Sequence, residues 1–265
     1  MRAVGARSEA DVMTFFPNVP SENVGAERRS LPRPGGTRGA EEARAMRTAE
    51  RTRLIARRRN LPEEERRRLS GRIQSLVLSD ARWRAARVVA LYVAANGEVE
   101  TGLLLDSAWA AGKTVLLPRC LPRDPADPPE AGGRMEFVAC SSREDLVPGR
   151  YGLLEPGPAC RRVAGAETPD AIALPDLAVL PAVGLRPDGA RLGYGGGYYD
   201  RAFSRPGWGG TPRLALIYAF QLVAFPVDER DASAWPDVAA HGYATENELA
   251  WLQDHFFLDA PRADR

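Results

Sequence analysis

The sequence predicts one α/β domain, a three-layer arrangement with a largely parallel central sheet and helices on both faces. Three stretches predict it. Val88–Val93 and Lys113–Pro118 read as strands joined by an amphipathic helix from Thr101 that carries Leu103, Leu104, Leu105 and Trp109. Such a strand–helix–strand unit implies parallel strands and a right-handed crossover. Leu177–Pro181 is a short, continuous apolar run, the pattern of a strand buried on both faces, and a glycine-rich turn and a helix start follow it. Arg213–Tyr218 is a further buried strand by the same reasoning.

The remaining elements follow in chain order. Residues 1–40 are rich in Gly, Pro, Ser and Arg, lack apolar periodicity, and are expected to be a disordered extension. Residues 41–258 are expected to form the domain, with 259–265 a tail. Residues 41–82 predict two helices separated by Asn60-Leu61-Pro62, with Pro62 at a helix start and Glu63, Glu64 and Glu65 in the first turn. Leu69, Ile73, Leu76 and Val77 keep helical spacing. Residues 121–133 read as a loop and Met135–Ala139 as a strand. Trp251, Phe256 and Phe257 predict a final helix packed on the sheet.

Composition narrows the function classes. The 36 Lys+Arg balance 35 Asp+Glu, so charge gives no reason for a nucleic-acid or membrane partner. Cys120, Cys140 and Cys160 lack CxxC spacing, which predicts a reducing, cytoplasmic setting without a disulfide framework. With only His241 and His255, a zinc site or a histidine-based triad is not expected. No apolar run approaches the roughly 20 residues needed to span a bilayer.

The chemistry concentrates between Asp176 and Arg201. After the apolar run comes a turn at Pro187-Asp188-Gly189, then Arg191, Leu192, Gly193, Tyr194, Gly195, Gly196, Gly197, Tyr198, Tyr199 and Asp200. Strand, glycine loop and helix start are the parts of an anion site: glycines admit phosphate oxygens to the backbone N–H groups, and the helix N-terminus adds positive potential. Arg191 can fork onto a phosphate. Asp200 is an oxygen ligand of the kind Mg²⁺ accepts beside a nucleotide. The loop has neither the lysine of a Walker A motif nor the third glycine of a dinucleotide fingerprint, so it is either a phosphate loop of another kind or a flexible Gly/Tyr turn, and the charged residues at both its ends favour the former.

The run Arg191-Leu-Gly-Tyr-Gly-Gly-Gly-Tyr-Tyr-Asp200 resembles the signature of the 5-formyltetrahydrofolate cyclo-ligase family, also called 5,10-methenyltetrahydrofolate synthetases. The resemblance extends over roughly residues 47–250, through Arg150–Pro156 and Ala219–Val223. It implies a Rossmann-like architecture shared with sugar-phosphate isomerases and CoA transferases. It implies ATP-dependent conversion of 5-formyltetrahydrofolate to 5,10-methenyltetrahydrofolate through an N5-iminium phosphate, with ATP and Mg²⁺ required and ADP and phosphate released, by a cytoplasmic monomer. The alternative is a non-catalytic, regulatory relative that binds folate or nucleotide.

The resemblance also implies residue roles. Arg47 and Arg51, four apart and so on one helix face, join the loop residues 191–199 in holding ATP; Arg47 stands where lysine is usual. Val93, Glu98 and Tyr151, with Tyr194, Gly195, Gly196, Gly197 and Tyr198, are implied at the folate. Arg191, Tyr194 and Tyr198 are the implied catalytic residues. Asp200 and a second aspartate are implied at the metal. Asp231 fits from the N-terminal side and is preferred, while spacing back from Thr245-Glu246 fits Asp237. Arg186 departs from the aspartate common before the signature.

Overall fold

The computed structural model describes residues 36–121, 134–149, 153–162, 174–226 and 238–252. Helix α1 (Gly36–Arg59) ends in Arg57, Arg58 and Arg59, cations that suit a helix C-terminus. It begins inside the stretch expected as an extension. Pro62 caps α2 (Glu63–Ser79), whose first turn holds the three glutamates. Asp80 then ends α2 and starts α3 (Ala81–Ala85), its carboxylate accepting from the Arg82 and Trp83 amides.

The strands are β1 (Val88–Ala90), β2 (Thr114–Cys120), β3 (Met135–Cys140), β4 (Leu146–Pro148), β5 (Leu154–Pro156), β6 (Arg161–Arg162), β7 (Leu177–Pro181), β8 (Gly184–Leu185), β9 (Arg191–Leu192), β10 (Arg213–Leu216), β11 (Gly242–Ala244) and β12 (Leu249–Trp251). Eight of them form one sheet in the order β12-β11-β10-β7-β1-β2-β3-β6. The strands from β11 to β2 run parallel, and antiparallel strands flank them at both edges. The expected β1–helix–β2 unit is present, with α4 (Gly102–Ala110) between strands in register Val88↔Thr114.

Strand alternation sorts the core onto two faces. Val89, Leu91, Val115, Leu117, Leu177, Val179, Leu214 and Leu216 pack with Leu69, Ile73 and Val77 of α2 and Leu104 and Leu105 of α4. Val88, Ala90, Leu116, Ala178 and Leu180 face the other way, toward Phe137, Phe203 and Trp208. Phe137 and Trp208 stack at 4.9 Å between centroids. Both faces are covered, hence the unbroken apolar reading of the central strands.

The chain's end differs from expectation. Trp251 lies not in a helix but in edge strand β12, paired antiparallel to β11 as Gly242↔Trp251, and its indole N–H donates to Asp80 Oδ2 at 3.0 Å. Leu249 and Trp251 are two apart, the spacing of one face of a strand rather than of a helix, and pairing with β11 fixes them there. Phe256 and Phe257 lie outside the described residues.

Candidate functional site

The site is built on the C-terminal side of β7, between β1 and β10 at the middle of the sheet. The chain leaves β7, forms the β8–β9 hairpin, runs through Gly193–Gly197, and enters α5 (Tyr198–Phe203). The hairpin turn fixes Gly189, at φ +90°, where a Cβ would lie 2.3 Å from the Ala240 carbonyl oxygen. In the loop, Gly195 (φ +93°) and Gly197 (φ +63°) hold backbone angles that L side chains rarely adopt.

Arginines reach this loop from both sides. Arg51 of α1 donates from Nε to the Gly193 carbonyl at 2.8 Å, and a Cβ on Gly195 would sit 3.8 Å from its guanidinium carbon. Arg201 of α5 donates to the Gly196 carbonyl and lies over the Tyr198 ring, 5.7 Å from its centroid. Arg47 stands one turn before Arg51 on the same helix, partly exposed. The glycine backbone is therefore bordered by positive charge with no β-carbon in the way, an arrangement that fits the phosphates of a nucleotide.

Beneath the loop, Arg191 and Asp200 form a buried ion pair, Nη2 to Oδ1 at 3.1 Å. Asp200 Oδ1 also accepts from the Val238 amide. Arg191 donates from Nε to the Val238 carbonyl at 3.2 Å and from Nη1 to Pro181 at 3.5 Å, with its guanidinium over the Tyr199 ring. A buried pair of this kind holds only when each charge keeps its partner. The residue expected on phosphate and the residue expected on metal are thus joined to each other. The described residues fit an anion; for Mg²⁺ they offer the one carboxylate of Asp200, already bonded to Arg191. Asp231 and Asp237 lie outside the described residues.

Sequence reasoning missed Arg58. Its side chain is 1 % exposed, and burial depresses it below the ordinary arginine value. It donates to the Tyr194 hydroxyl from Nη2, to the Asn96 carbonyl at 3.2 Å and to the Ala182 carbonyl at 3.4 Å. It therefore ties α1 to the β1 exit, the β7 exit and the loop. Arg58 hides in the Arg57–Arg59 run that reads as a solvated basic face. A usable signal was helical phase: Arg47, Arg51, Leu54 and Arg58 fall on one stripe of α1, and Leu54 is fully buried there.

Past β1, Glu98 sits where the chain turns toward α4. Its Oε2 accepts from the Ala95 amide at 3.0 Å. The residue keeps some solvent contact, yet the carboxyl is surrounded closely enough by protein for burial to push it up to about 7, against the pull of nearby Arg58. Tyr218 braces this turn, donating to the Glu98 carbonyl at 3.3 Å and meeting Ser70 Oγ of α2 at 3.2 Å. Val93 lies at the same exit, partly buried against the core.

Tyr199, the second residue of α5, is half-buried against the core. Its ring meets Phe137 edge-on at 6.4 Å, and its phenol, raised in pKa by burial, lies within the electrostatic reach of Glu98, Arg191 and Cys120. Cys120 lines a cleft of about 490 Å³ together with Arg119, Glu136, Gly149 and Glu155. Glu155 is 7 % exposed, and its Oε1 has no hydrogen-bond partner among the described residues. Tyr151, expected at the folate, falls outside the described residues, although Gly149 and Glu155 on either side of it line this cleft. Leu192 turns its side chain into the core with Leu54, Val183 and Phe225, so it can offer a ligand only backbone.

The comparisons with known proteins bear on the same residues. The profile of the 5-formyltetrahydrofolate cyclo-ligase family matches residues 43–234. The 5-formyltetrahydrofolate cyclo-ligase of Escherichia coli K12 is 28 % identical over 176 residues, which is 66 % of this chain and 90 % of that protein. The enzyme of the same name from Mycolicibacterium smegmatis is 35 % identical over 57 % of this chain and 71 % of its own. Among solved structures, the 5,10-methenyltetrahydrofolate synthetase of Aquifex aeolicus superposes with a TM-score of 0.61 at 27 % identity, covering 83 % of this chain and all of that one. The Mycoplasma pneumoniae synthetase, at TM-score 0.54 and 20 % identity, shares the fold. The matched span takes in most of α1 with Arg51 and Arg58, the parallel strands β1, β2, β7 and β10 and the glycine loop, and on that match the chain belongs to the 5-formyltetrahydrofolate cyclo-ligase family.

Proposed function

We propose that this protein catalyses the ATP-dependent cyclisation of 5-formyltetrahydrofolate to 5,10-methenyltetrahydrofolate, with ADP and phosphate as products. The observation that carries the reading is the Arg51–Gly193 contact, which sets a cation from α1 against a loop whose glycines leave its backbone open to phosphate. A formamide oxygen is a poor leaving group, and ATP supplies the phosphoryl group that makes it a good one. The chain's own contribution is position and charge. Arg47 and Arg51 neutralise the triphosphate from the α1 side. Arg191, held by Asp200, supplies positive potential from beneath the loop. Tyr194, fixed by Arg58, and Tyr198, under Arg201, border nucleotide and pterin.

Folate is placed between Glu98 and the cleft that Glu155 and Gly149 line, with Tyr199 between them. A reduced pterin presents N–H donors, and the Glu98 carboxylate is a suitable acceptor. Mg²⁺ belongs to the proposal as the ion that accompanies the triphosphate, with most of its ligands from phosphate and water. Asp200 is the described carboxylate that would contact it while keeping Arg191.

The test is ADP release by the full chain with MgATP, measured with and without 5-formyltetrahydrofolate. Release that requires the folate supports the reading. Folate-independent release overturns it, and binding of both compounds without turnover overturns it in favour of a regulatory relative.

A further inference from the structure

Away from the loop, two cysteines and an aspartate converge. Cys140 Sγ, Cys160 Sγ and an Asp145 carboxylate oxygen all lie within 4.8 Å of one another. Sheet register produces the meeting. Strands β3 and β6 pair as Val138↔Arg162 and Ala139↔Arg161, so the next step of the series sets Cys140 opposite Cys160. Asp145 enters from the turn after β3, where the Ser141 and Ser142 amides donate to its Oδ2 at 2.7 and 3.1 Å. Those bonds fix the carboxylate as outer-shell donors fix a metal ligand. Among the described residues Asp145 forms no ion pair; neighbouring Arg143 is bridged to Asp106.

The geometry points to a binding site for one thiophilic divalent cation, zinc foremost, ligated by Cys140, Cys160 and Asp145 with a fourth position open. Two thiolates and a carboxylate are a donor set that zinc accepts, in tetrahedral geometry with Zn–S near about 2.3 Å. Those bond lengths ask for ligand separations somewhat below the present spread, a closure that side-chain rotation can provide. Each thiol gives up its proton as the ion enters, so uptake of one cation releases two protons.

The ion would join three pieces of chain. Cys140 ends β3, Asp145 precedes β4, and Cys160 follows β5, where the Gly157 amide already donates to the Asp145 carbonyl at 2.8 Å. Cys160 also lines the cleft that carries Glu155. The site is therefore a clamp on one rim of that cleft, and its test does not depend on the proposed reaction.

The experiment titrates the reduced full chain, under anaerobic conditions, with Cd²⁺ alone and then with Zn²⁺ in competition. The expected result is a thiolate-to-cadmium absorption band that saturates at one equivalent and is displaced by zinc. Cys160→Ser, at a half-buried position that leaves the core intact, should abolish the band; Cys120→Ser should keep it; Asp145→Asn should weaken cadmium binding by about tenfold or more. A chain that shows no band, a band that survives Cys160→Ser, or a Cys140–Cys160 disulfide already present in protein purified without oxidant would overturn the site. Uptake unchanged in Asp145→Asn would overturn the three-ligand assignment.

Discussion

The Arg51 side chain bonds to the Gly193 carbonyl across 142 residues of sequence, at 2.8 Å, and so joins the first helix to the glycine loop. Arg51→Ala should leave the sheet intact and weaken MgATP binding by about ten- to a hundredfold, the range of a lost charge-assisted contact. Arg51→Lys should recover part of it, since the charge returns without the fork. Calorimetric titration of nucleotide into each variant reads the difference; equal affinities would remove Arg51 from the site.

Arg58 has a different signature. Its guanidinium is buried against three oxygen acceptors, so Arg58→Ala removes the donor to the Tyr194 hydroxyl and the Asn96 carbonyl and one of the two donors to the Ala182 carbonyl, which keeps Gln221. Leaving a buried neutral acceptor without its donor costs about 1–3 kcal/mol. Urea unfolding should show that loss in full, unlike in Arg51→Ala. A stability within experimental error of the parent would contradict the bracing role.

Asp200→Asn should abolish most turnover and also destabilise the fold, because Arg191 would keep its burial and lose its counter-charge. Thermal unfolding and ADP release, measured on the same preparation, separate the two effects. A variant with parental melting and parental rate would exclude both the ion-pair role and a metal role.

Glu98 predicts a pH dependence. Its carboxyl is raised from 4.5 to about 7 in the fold, chiefly by burial. Between those values the folded chain holds a proton that the unfolded chain has released, so stability falls as pH rises through the window and levels off above it. Glu98→Gln should flatten that slope and gain up to about 3 kcal/mol at pH 8. Folate affinity should move the other way, rising as pH passes about 7 and the ionised acceptor forms, and Glu98→Gln should lose the rise. Denaturation and binding profiles from pH 5 to 8 check both.

Much of this molecule was legible before its structure. Leu177–Pro181 was read to the residue because a strand buried on both faces shows an unbroken apolar run. The break at Asn60–Pro62 and the first turn of α2 followed from proline and acid placement. The loop was legible as the junction between a strand and a helix start, because four glycines in five positions break both periodicities. Arg58 was not, since a run of arginines carries no mark of which one turns inward; only the phase of Leu54 shows it. The Arg191–Asp200 pair was missed for another reason. Both residues were assigned outward, to ligands, and nine residues of sequence do not show that a tight turn folds one back onto the other. Trp251 joined an edge strand because β11 offers a free edge, a tertiary fact absent from local periodicity.

The stripe of Arg47, Arg51 and Arg58 precedes every strand in chain order, while the glycines it borders come after β7. Under the proposed function, nucleotide capture would therefore report on completed assembly: a sheet that has formed without its leading helix would hold every loop residue and still lack the grip. Cleavage at the exposed Asn60 should uncouple the two, silencing the site while the sheet persists, and a synthetic peptide of α1 should be able to restore it in trans.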